Sequence, residues 1–255
     1  MDDSDHDAAI SLLRRTPVLL ACSESTLTRR QLTETTTLSR TTAYRATVTL
    51  EERGFLEKTD AGYRTTAHGA ALLASSEYYL SAIDTVDRLA PLLELVDAPE
   101  LTANAHLLGD AEVIVADSSN PYRVVDRVTE RFEETTNSRG TIANPTASEA
   151  MSRAGHSLAD KELIERIFTA SALETHETVA GDEFHDVVSA DSLSIYVADD
   201  ETVPFSFAID DEDVTIVGHD PATGLPTVHV ESDRPAARTW LEGVYEECRR
   251  TATPI

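Results

Sequence analysis

Apolar residues recur at helical spacing in two short segments near the N terminus, covering residues 28–34 and 39–53. In the second segment Ala43, Ala46, Val48 and Leu50 provide the apolar positions, as in a helix with one buried face. Thr35, Thr36 and Thr37 separate the segments, and β-branched hydroxyl residues favour turns over helix interiors. The Ser39 hydroxyl can cap the second helix by accepting a backbone N–H bond. The pattern therefore predicts two helices joined by a tight turn.

A hairpin follows the second predicted helix. Gly54 ends that helix at a position that favours left-handed backbone. Residues 55–58 and 63–66 then form short strands on either side of a turn at residues 59–62. Two helices, a tight turn and a hairpin together predict a winged helix-turn-helix over residues 1–66.

The outward positions of residues 39–53 carry side chains that suit a DNA groove. Arginine can bind guanine through two hydrogen bonds, whereas threonine and tyrosine can contact a thymine methyl group or a phosphate. Thr47 is also assigned to this outward face. In this docking mode the start of the second helix contacts the bases, and the hairpin approaches the backbone or minor groove. The predicted contacts with double-stranded DNA are Arg29, Arg30, Ser39, Arg40, Thr41, Thr42, Tyr44, Arg45, Lys58, Tyr63 and Arg64. The alternative is a small helical bundle whose arginines are merely solvated.

Helical patterns flank this segment on both sides. Residues 7–24 form a helix that Pro17 splits near Thr16. Residues 67–98 form a long connecting helix, which Pro91 interrupts. Apolar residues repeat along it at the spacing of a coiled-coil seam, namely Tyr79, Ile83, Val86, Ala90 and Leu93. This stripe predicts either a homodimer interface or packing on the chain's own second domain.

Residues 99–255 change to an α/β pattern, so the predicted fold class is α/β, or α+β for the whole chain. Short strands are expected at residues 105–108, 113–116, 140–143 and 172–179. Helices are expected at residues 122–136 and from 146 through 167. An antiparallel meander is predicted at residues 193–197, 205–209, 214–217 and 227–230, followed by a last helix at 234–251.

Polar residues follow two predicted strands and form a candidate ligand site. Asp117, Ser118, Ser119 and Asn120 lie between a strand and a helix, where backbone N–H groups can hold an anion. Asn144 and Thr146 follow the next predicted strand along the chain and are expected at the same edge of the sheet. The alternative is that Ser119 or Asn120 only caps the helix.

Catalytic, cofactor and metal signatures are not found in the sequence. A stretch rich in metal-binding residue types contains Glu174, His176, Glu177, Asp182, Glu183, His185 and Asp186. Its spacing matches no zinc motif, and an acid-rich chain produces such clusters by chance. His219 and His229 are interpreted as turn and strand residues. We therefore expect no enzyme activity, no cofactor and no metal site.

The distribution of charge sets the first seventy residues apart. The 255-residue chain has a net charge of −25, yet residues 1–70 carry ten acidic and nine basic side chains. That asymmetry hints at nucleic-acid contact in the first segment. Cys22 and Cys248 lie far apart and match no disulfide or metal spacing, so both are predicted core residues. No apolar run is long enough for a membrane span, and we expect a cytoplasmic protein with no membrane partner.

The chain resembles a family of archaeal transcriptional regulators whose C-terminal sensor domain is named for a regulator of filament formation and methanogenesis. The resemblance rests on LSRTTAYRATVTLEERGFLEK and GYRTTAHG in the first domain, and on Asn120-Pro121-Tyr122, VPFSFAIDDEDVTIVGHD and AARTWLEGVYEECR in the second. It implies a sensor or assembly role for residues 99–255. The acidic excess, with Lys58 and Lys161 the only lysines, resembles proteins of halophilic archaea.

These observations predict a sequence-specific DNA-binding transcription regulator. It is expected to bind as a homodimer, with residues 99–255 either sensing a small-molecule effector or mediating assembly. A protein–protein adaptor of the transcription machinery without its own operator is the alternative, because the first domain is nearly neutral rather than basic. An enzyme fused to a DNA-binding domain is a third hypothesis.

Overall fold

The chain folds into two compact units, Met1–Ser81 and Ala82–Ile255. A computed structural model describes residues 3–144, 161–180 and 192–255. The predicted fold class is confirmed, since a helical first unit ending in a hairpin is followed by a unit built on a mixed sheet. Among the described helices, none is both long enough and apolar enough to cross a membrane.

Four short helices and a two-stranded hairpin make up most of the first unit. The helices are α1 (Asp3–Leu13), α2 (Thr16–Glu24), α3 (Arg29–Thr35) and α4 (Arg40–Glu52), and the strands are β1 (Leu56–Thr59) and β2 (Gly62–Thr65). Pro17 lies in the first turn of α2, where its missing N–H leaves no helical hydrogen bond unmade. The predicted split of the first helical segment near Thr16 is therefore confirmed.

Local hydrogen bonds define the turn between α3 and α4. Thr28 and Gln31 form a capping box at the start of α3. Ser39 caps α4, and its Oγ accepts a 3.2 Å hydrogen bond from the Thr42 N–H. Each helix therefore begins where a side-chain oxygen satisfies an otherwise unpaired backbone N–H. The two helices and the tight turn that the sequence predicts are therefore present.

Two glycines allow the hairpin to form against the helices. Gly54 follows α4 with a φ of 75°, the left-handed conformation that commonly ends a helix. Gly62 begins β2, and a Cβ there would lie only 2.5 Å from the Leu27 carbonyl oxygen. That close approach allows Leu27 and Tyr63 to exchange two backbone hydrogen bonds of 3.0 and 2.8 Å. The strands lie one residue away from their predicted positions.

The long helix α5 (Ala67–Arg88) follows the hairpin and crosses the boundary between the two units. It is shorter than predicted, because the separate short helix α6 (Ala90–Leu93) follows it, with Pro91 in its first turn. A further short helix, α7 (Pro99–Asn104), precedes the sheet of the second unit.

The second unit is built on an eight-stranded mixed sheet in the order β10-β6-β5-β4-β7-β8-β9-β3. Its strands are β3 (Glu112–Val115), β4 (Asn137–Ile142), β5 (Leu163–Thr169), β6 (Leu193–Ala198), β7 (Ser206–Ile209), β8 (Val214–His219), β9 (Pro226–Ser232) and β10 (Thr253–Pro254). The β4, β5 and β6 strands are parallel, and every other pair is antiparallel. The predicted meander is thus confirmed as β7, β8 and β9, whereas β6 pairs elsewhere.

Helices cover both faces of this sheet. The last helix, α10 (Pro235–Thr251), packs on the face that carries Ile167 and Val230. On the other face α8 (Arg123–Glu134) lies over β9 and β3, and α9 (Ala170–Ala180) lies over β5 and β6. Side chains alternate between faces along a strand, so Glu231 contacts α8 while its neighbour Val230 packs towards α10.

Three predicted elements are wrong, and all lie in apolar runs too short to distinguish helix from strand. Residues 105–108 form a 3₁₀-helix rather than a strand. The expected helix through residue 167 is replaced by the central strand β5, and the expected strand at 172–179 is helix α9. For β5, long-range strand pairing decides the outcome, since β4 and β6 enclose it.

Candidate nucleic-acid interface

The start of α4 presents the polar face that the sequence predicts. Arg40, Thr41, Thr42, Tyr44 and Arg45 are exposed, while Ala43, Ala46 and Leu50 are buried in or against the first unit's core. The assignment of Thr47 to the outward face is wrong, because its side chain is fully buried. The Thr47 Oγ1 instead donates a 2.9 Å hydrogen bond to the Tyr44 carbonyl oxygen.

Arg29 connects α3 to α4 and to the hairpin. Its Nε donates a 3.1 Å hydrogen bond to Thr47 Oγ1. Its guanidinium carbon lies 4.5 Å from the Tyr44 ring centroid and 5.2 Å from the Tyr63 ring centroid, both within the range of a cation–π interaction. These contacts make Arg29 a residue that positions the Tyr44 side chain.

Three cations on α4 and the hairpin are free of acidic partners. Arg40, Arg45 and Lys58 are exposed. None of them forms an ion pair with any residue in the described parts of the chain. An unpaired surface cation can bind a phosphate or a base edge without first losing an ion pair, so these three side chains are the strongest candidates for contact with DNA.

Two other predicted contacts already have acidic partners on the same surface. Arg30 pairs with Glu34 at 3.0 Å. On the hairpin, the Arg64 Nε donates a 2.8 Å hydrogen bond to a Glu57 carboxylate oxygen. Both pairs are exposed, where ion pairs contribute little to stability. A phosphate could therefore replace either carboxylate at modest cost.

The predicted contact between Tyr63 and DNA is corrected by the structure. Tyr63 is 4 % exposed and belongs to the core cluster of the first unit, together with Leu32 and Leu50. Alternation along β2 places Tyr63 inward and Arg64 outward. Tyr63 therefore supports the surface from below and does not form part of it.

An exposed apolar stripe runs along α5. Tyr79, Ile83 and Val86 of the predicted seam are 53 %, 43 % and 42 % exposed, and Leu80 beside them is also exposed. Ala90 of the predicted seam is also exposed, whereas Leu93 packs against the core of the second unit. Apolar residues grouped on one helix face and left in water are typical of an interaction surface.

The two halves of the predicted ligand site are not brought together. The loop at Asp117 follows β3, and Asn144 follows β4, at the same edge of the sheet but with β9, β8 and β7 between them. Asp117 is occupied within its own turn, where its Oδ1 accepts hydrogen bonds from the backbone N–H groups of Ser119 and Asn120. A hydrogen bond from the Ser119 hydroxyl, together with these two backbone bonds, holds the pKa of Asp117 below its usual value. Ser118 lies within that turn and is exposed. Thr146 lies outside the described residues.

Three described histidines of the second unit, His176, His219 and His229, are buried rather than grouped at a site. His176 on α9 is 4 % exposed and packs edge-on against Phe168. Burial lowers the pKa of His219 and of His229 to about 4, so both are neutral near pH 7. No group of three potential metal ligands converges among the described residues. Asp182, Glu183, His185 and Asp186 of the acid-rich stretch fall outside them.

Both cysteines are core residues, as predicted. Cys22 lies in the core of the first unit and Cys248 in that of the second. Burial raises the pKa of each thiol to about 11. Neither thiol is therefore suited to act as a nucleophile near neutral pH.

Comparison with solved structures finds distant likenesses. The archaeal chromatin protein TrmBL2 is 16 % identical, and the match covers 95 % of this chain and 93 % of that one at a TM-score of 0.44. NucT from Helicobacter pylori is 9 % identical, and the match covers 57 % of this chain and 99 % of that one at a TM-score of 0.45. A search of curated proteins found no match.

Comparison with protein families gives two matches along the chain. Residues 3–88 match the HVO_A0261 N-terminal domain. Residues 121–251, just over half of the chain, match the middle domain of the methanogenesis regulatory protein FilR1. These matches agree with the resemblance noted in the sequence. The chain therefore belongs to the FilR1 family of regulatory proteins, with an N-terminal domain of the HVO_A0261 type.

Proposed function

We propose that this protein is a transcription regulator that binds double-stranded DNA through α4 and the hairpin. The observation that carries the proposal is the set of exposed cations without acidic partners, Arg40, Arg45 and Lys58. A chain with 46 acidic and 21 basic residues has abundant carboxylates to pair with them. Because these three cations lack acidic partners and are exposed on α4 and the hairpin, they can bind phosphates and base edges of DNA.

Base contacts would come from the outward face of α4. By helical period, Thr41 and Arg45 lie opposite the buried positions Ala43 and Leu50. Arg45 is suited to bind guanine, and Thr41 to contact a thymine methyl group or a phosphate. Tyr44 lies beside them, positioned by Arg29.

The exposed stripe on α5 would form the interface of a homodimer. A continuous 22-residue helix with Tyr79, Ile83 and Val86 in water can pair with its copy along a seam of this spacing. A two-fold dimer would present two α4 helices to successive major grooves. The operator would then be a palindrome.

The second unit would supply regulation, by binding an effector or by promoting assembly. Support comes from its match to the middle domain of FilR1. The described residues Asp117 and Asn144 lie too far apart across the sheet to form one small-molecule site together. We therefore do not assign an effector to them as a pair. Native mass spectrometry of the purified protein tests for a bound small molecule.

The test is selection of DNA from a randomised duplex library by the full-length protein in molar KCl. We expect the wild-type protein to enrich a palindromic sequence. The Arg45→Ala variant should bind that sequence at least about tenfold more weakly, because one guanine contact is worth roughly 1–3 kcal/mol. The matched control is Arg123→Ala, which removes an exposed arginine from the second unit. Failure to enrich any sequence would reject operator binding and favour an adaptor that contacts other proteins.

A further inference from the structure

A solvent-open groove of about 560 Å³ separates α1 from the start of α4. Its walls on the α1 side carry Arg14 and Arg15, and its wall on the α4 side carries Arg45. Ser11, Thr41 and Thr42 add hydroxyl groups, and Leu38 and Ala46 line its base. Three guanidinium groups and three hydroxyls together form a lining rich in hydrogen-bond donors.

The positive charge of this groove is largely uncompensated. Arg14 and Arg45 are exposed and form no ion pair with the described residues. The Arg15 Nη1 donates to Ser11 Oγ at 2.5 Å, while its buried Nε has no hydrogen-bond partner there. A buried donor without a partner is costly. Asp7 is the single acidic residue in the lining.

The groove lies on the opposite side of α4 from the hairpin. Tyr44 faces Arg29 and the hairpin side, whereas Thr42, Arg45 and Ala46 face α1. If α4 enters the major groove of a DNA duplex, one sugar–phosphate backbone of that duplex lies on each side of the helix. Lys58 and Arg64 are available on the hairpin side, and Arg14 occupies the equivalent place on the α1 side.

We propose that this groove is a phosphate-binding site, in which Arg14 and Arg15 hold a backbone phosphate of the DNA that α4 contacts. The inference rests on the proposed function and extends the contact surface to α1, which carries no predicted DNA contact. Guanidinium groups bind phosphate through paired hydrogen bonds. A free phosphate ion in solution offers the same oxygen atoms to the arginines as a phosphate of the DNA backbone does. The experiment below distinguishes these two ligands.

The experiment compares Arg14→Gln and Asp7→Asn in the full-length protein, with Arg123→Gln as the control in the second unit. Affinity for the selected duplex is measured over a series of KCl concentrations. We expect Arg14→Gln to weaken binding roughly fivefold and to reduce the slope of log K against log[salt] by about 0.9, the value for one phosphate contact. Asp7→Asn should strengthen binding, because it removes a repelling carboxylate. Arg123→Gln should change neither quantity.

Inorganic phosphate is then titrated into the DNA-free protein and followed by NMR. If Arg14→Gln leaves DNA affinity and salt slope unchanged while phosphate shifts resonances of the groove in an Arg14-dependent way, the site binds free phosphate and the DNA assignment is overturned. If neither DNA binding nor phosphate binding depends on Arg14, the site itself is rejected. The proposed function stands in both cases provided that Arg45→Ala lowers operator affinity at least about tenfold. If neither the Arg14 variant nor the Arg45 variant alters affinity for the selected duplex, both the phosphate site and the proposed function are rejected.

Discussion

The Arg29 guanidinium lies 4.5 Å from the centre of the Tyr44 ring, so a residue of α3 fixes a side chain on the exposed face of α4. A hydrogen bond from Arg29 Nε to the buried Thr47 Oγ1 completes the contact. The sequence predicts Arg29 as a DNA contact. The structure adds an internal role, in which the half-exposed guanidinium contacts the rings of Tyr44 on α4 and Tyr63 on the hairpin.

Replacing Arg29 should test this role. We expect Arg29→Ala to lower the free energy of unfolding by about 1–2 kcal/mol, the sum of a partly exposed cation–π interaction and one hydrogen bond. Arg29→Lys should be almost as damaging, because an ammonium cannot stack and donate in the same geometry. Urea denaturation in high KCl measures both variants. A lysine variant as stable as the wild type would contradict the stacking role.

Breaking the ion pair on the hairpin should strengthen DNA binding. Glu57→Gln removes the partner of Arg64 and one repelling charge. We expect tighter binding to the selected duplex and a salt slope steeper by about 0.9, as one more cation contacts a phosphate. The double variant Glu57→Gln/Arg64→Gln should lose the gain. An unchanged slope in the single variant would mean that the hairpin does not approach DNA.

The stripe on α5 gives a prediction about oligomeric state. Ile83→Glu places a charge in the proposed seam and should raise the dimer dissociation constant by at least about tenfold, because a buried unpaired carboxylate is strongly unfavourable. Glu77→Gln, on about the opposite side of the helix, is the control. Sedimentation equilibrium measures both. A wild-type protein that is monomeric at every concentration would exclude this interface.

The buried histidines predict loss of stability in mild acid. Burial lowers the pKa of His229 from 6.5 to about 4 in the folded state, with Arg127 and Arg131 adding repulsion. Below pH 6.5 the His229 imidazole binds a proton in the unfolded chain but not in the folded chain. The free energy of unfolding therefore falls between pH 6.5 and 4 and then levels off. The shift corresponds to about 3 kcal/mol. His219 should contribute in the same window.

His229→Gln isolates this effect from the titration of the many carboxylates. The difference in unfolding free energy between variant and wild type, measured by urea denaturation at several pH values, should change by about 3 kcal/mol in favour of the variant from pH 7.5 to pH 4. A difference independent of pH would show that His229 titrates alike in both states.

Much of the first unit was determined by its sequence, because local contacts define it. Ser39 caps α4, Gly54 takes left-handed backbone after it, and Pro17 starts α2, each through bonds among near neighbours. The helical period also assigned Arg40, Thr41 and Arg45 to the exposed face. Thr47 lies four residues after Ala43 and three before Leu50, so the helical period itself places it on the buried face. Its polar side chain led to the outward assignment, but the Thr47 hydroxyl is accommodated by hydrogen bonds with Arg29 and the Tyr44 carbonyl oxygen.

Tertiary structure decided what depends on distant partners. The strand at residues 163–169 is a strand because β4 and β6 pair with it, whereas its own apolar run fits a helix equally well. Asp117 and Asn144 lie apart because three later strands insert between β3 and β4. The sequence around either residue does not indicate this strand order. Arg14, in the turn after α1, lines the same groove as Arg45 on α4, and only the tertiary fold of the first unit brings the two together. Sequence records local hydrogen bonding and periodicity, while adjacency across the fold is set by the free energy of the whole packed chain.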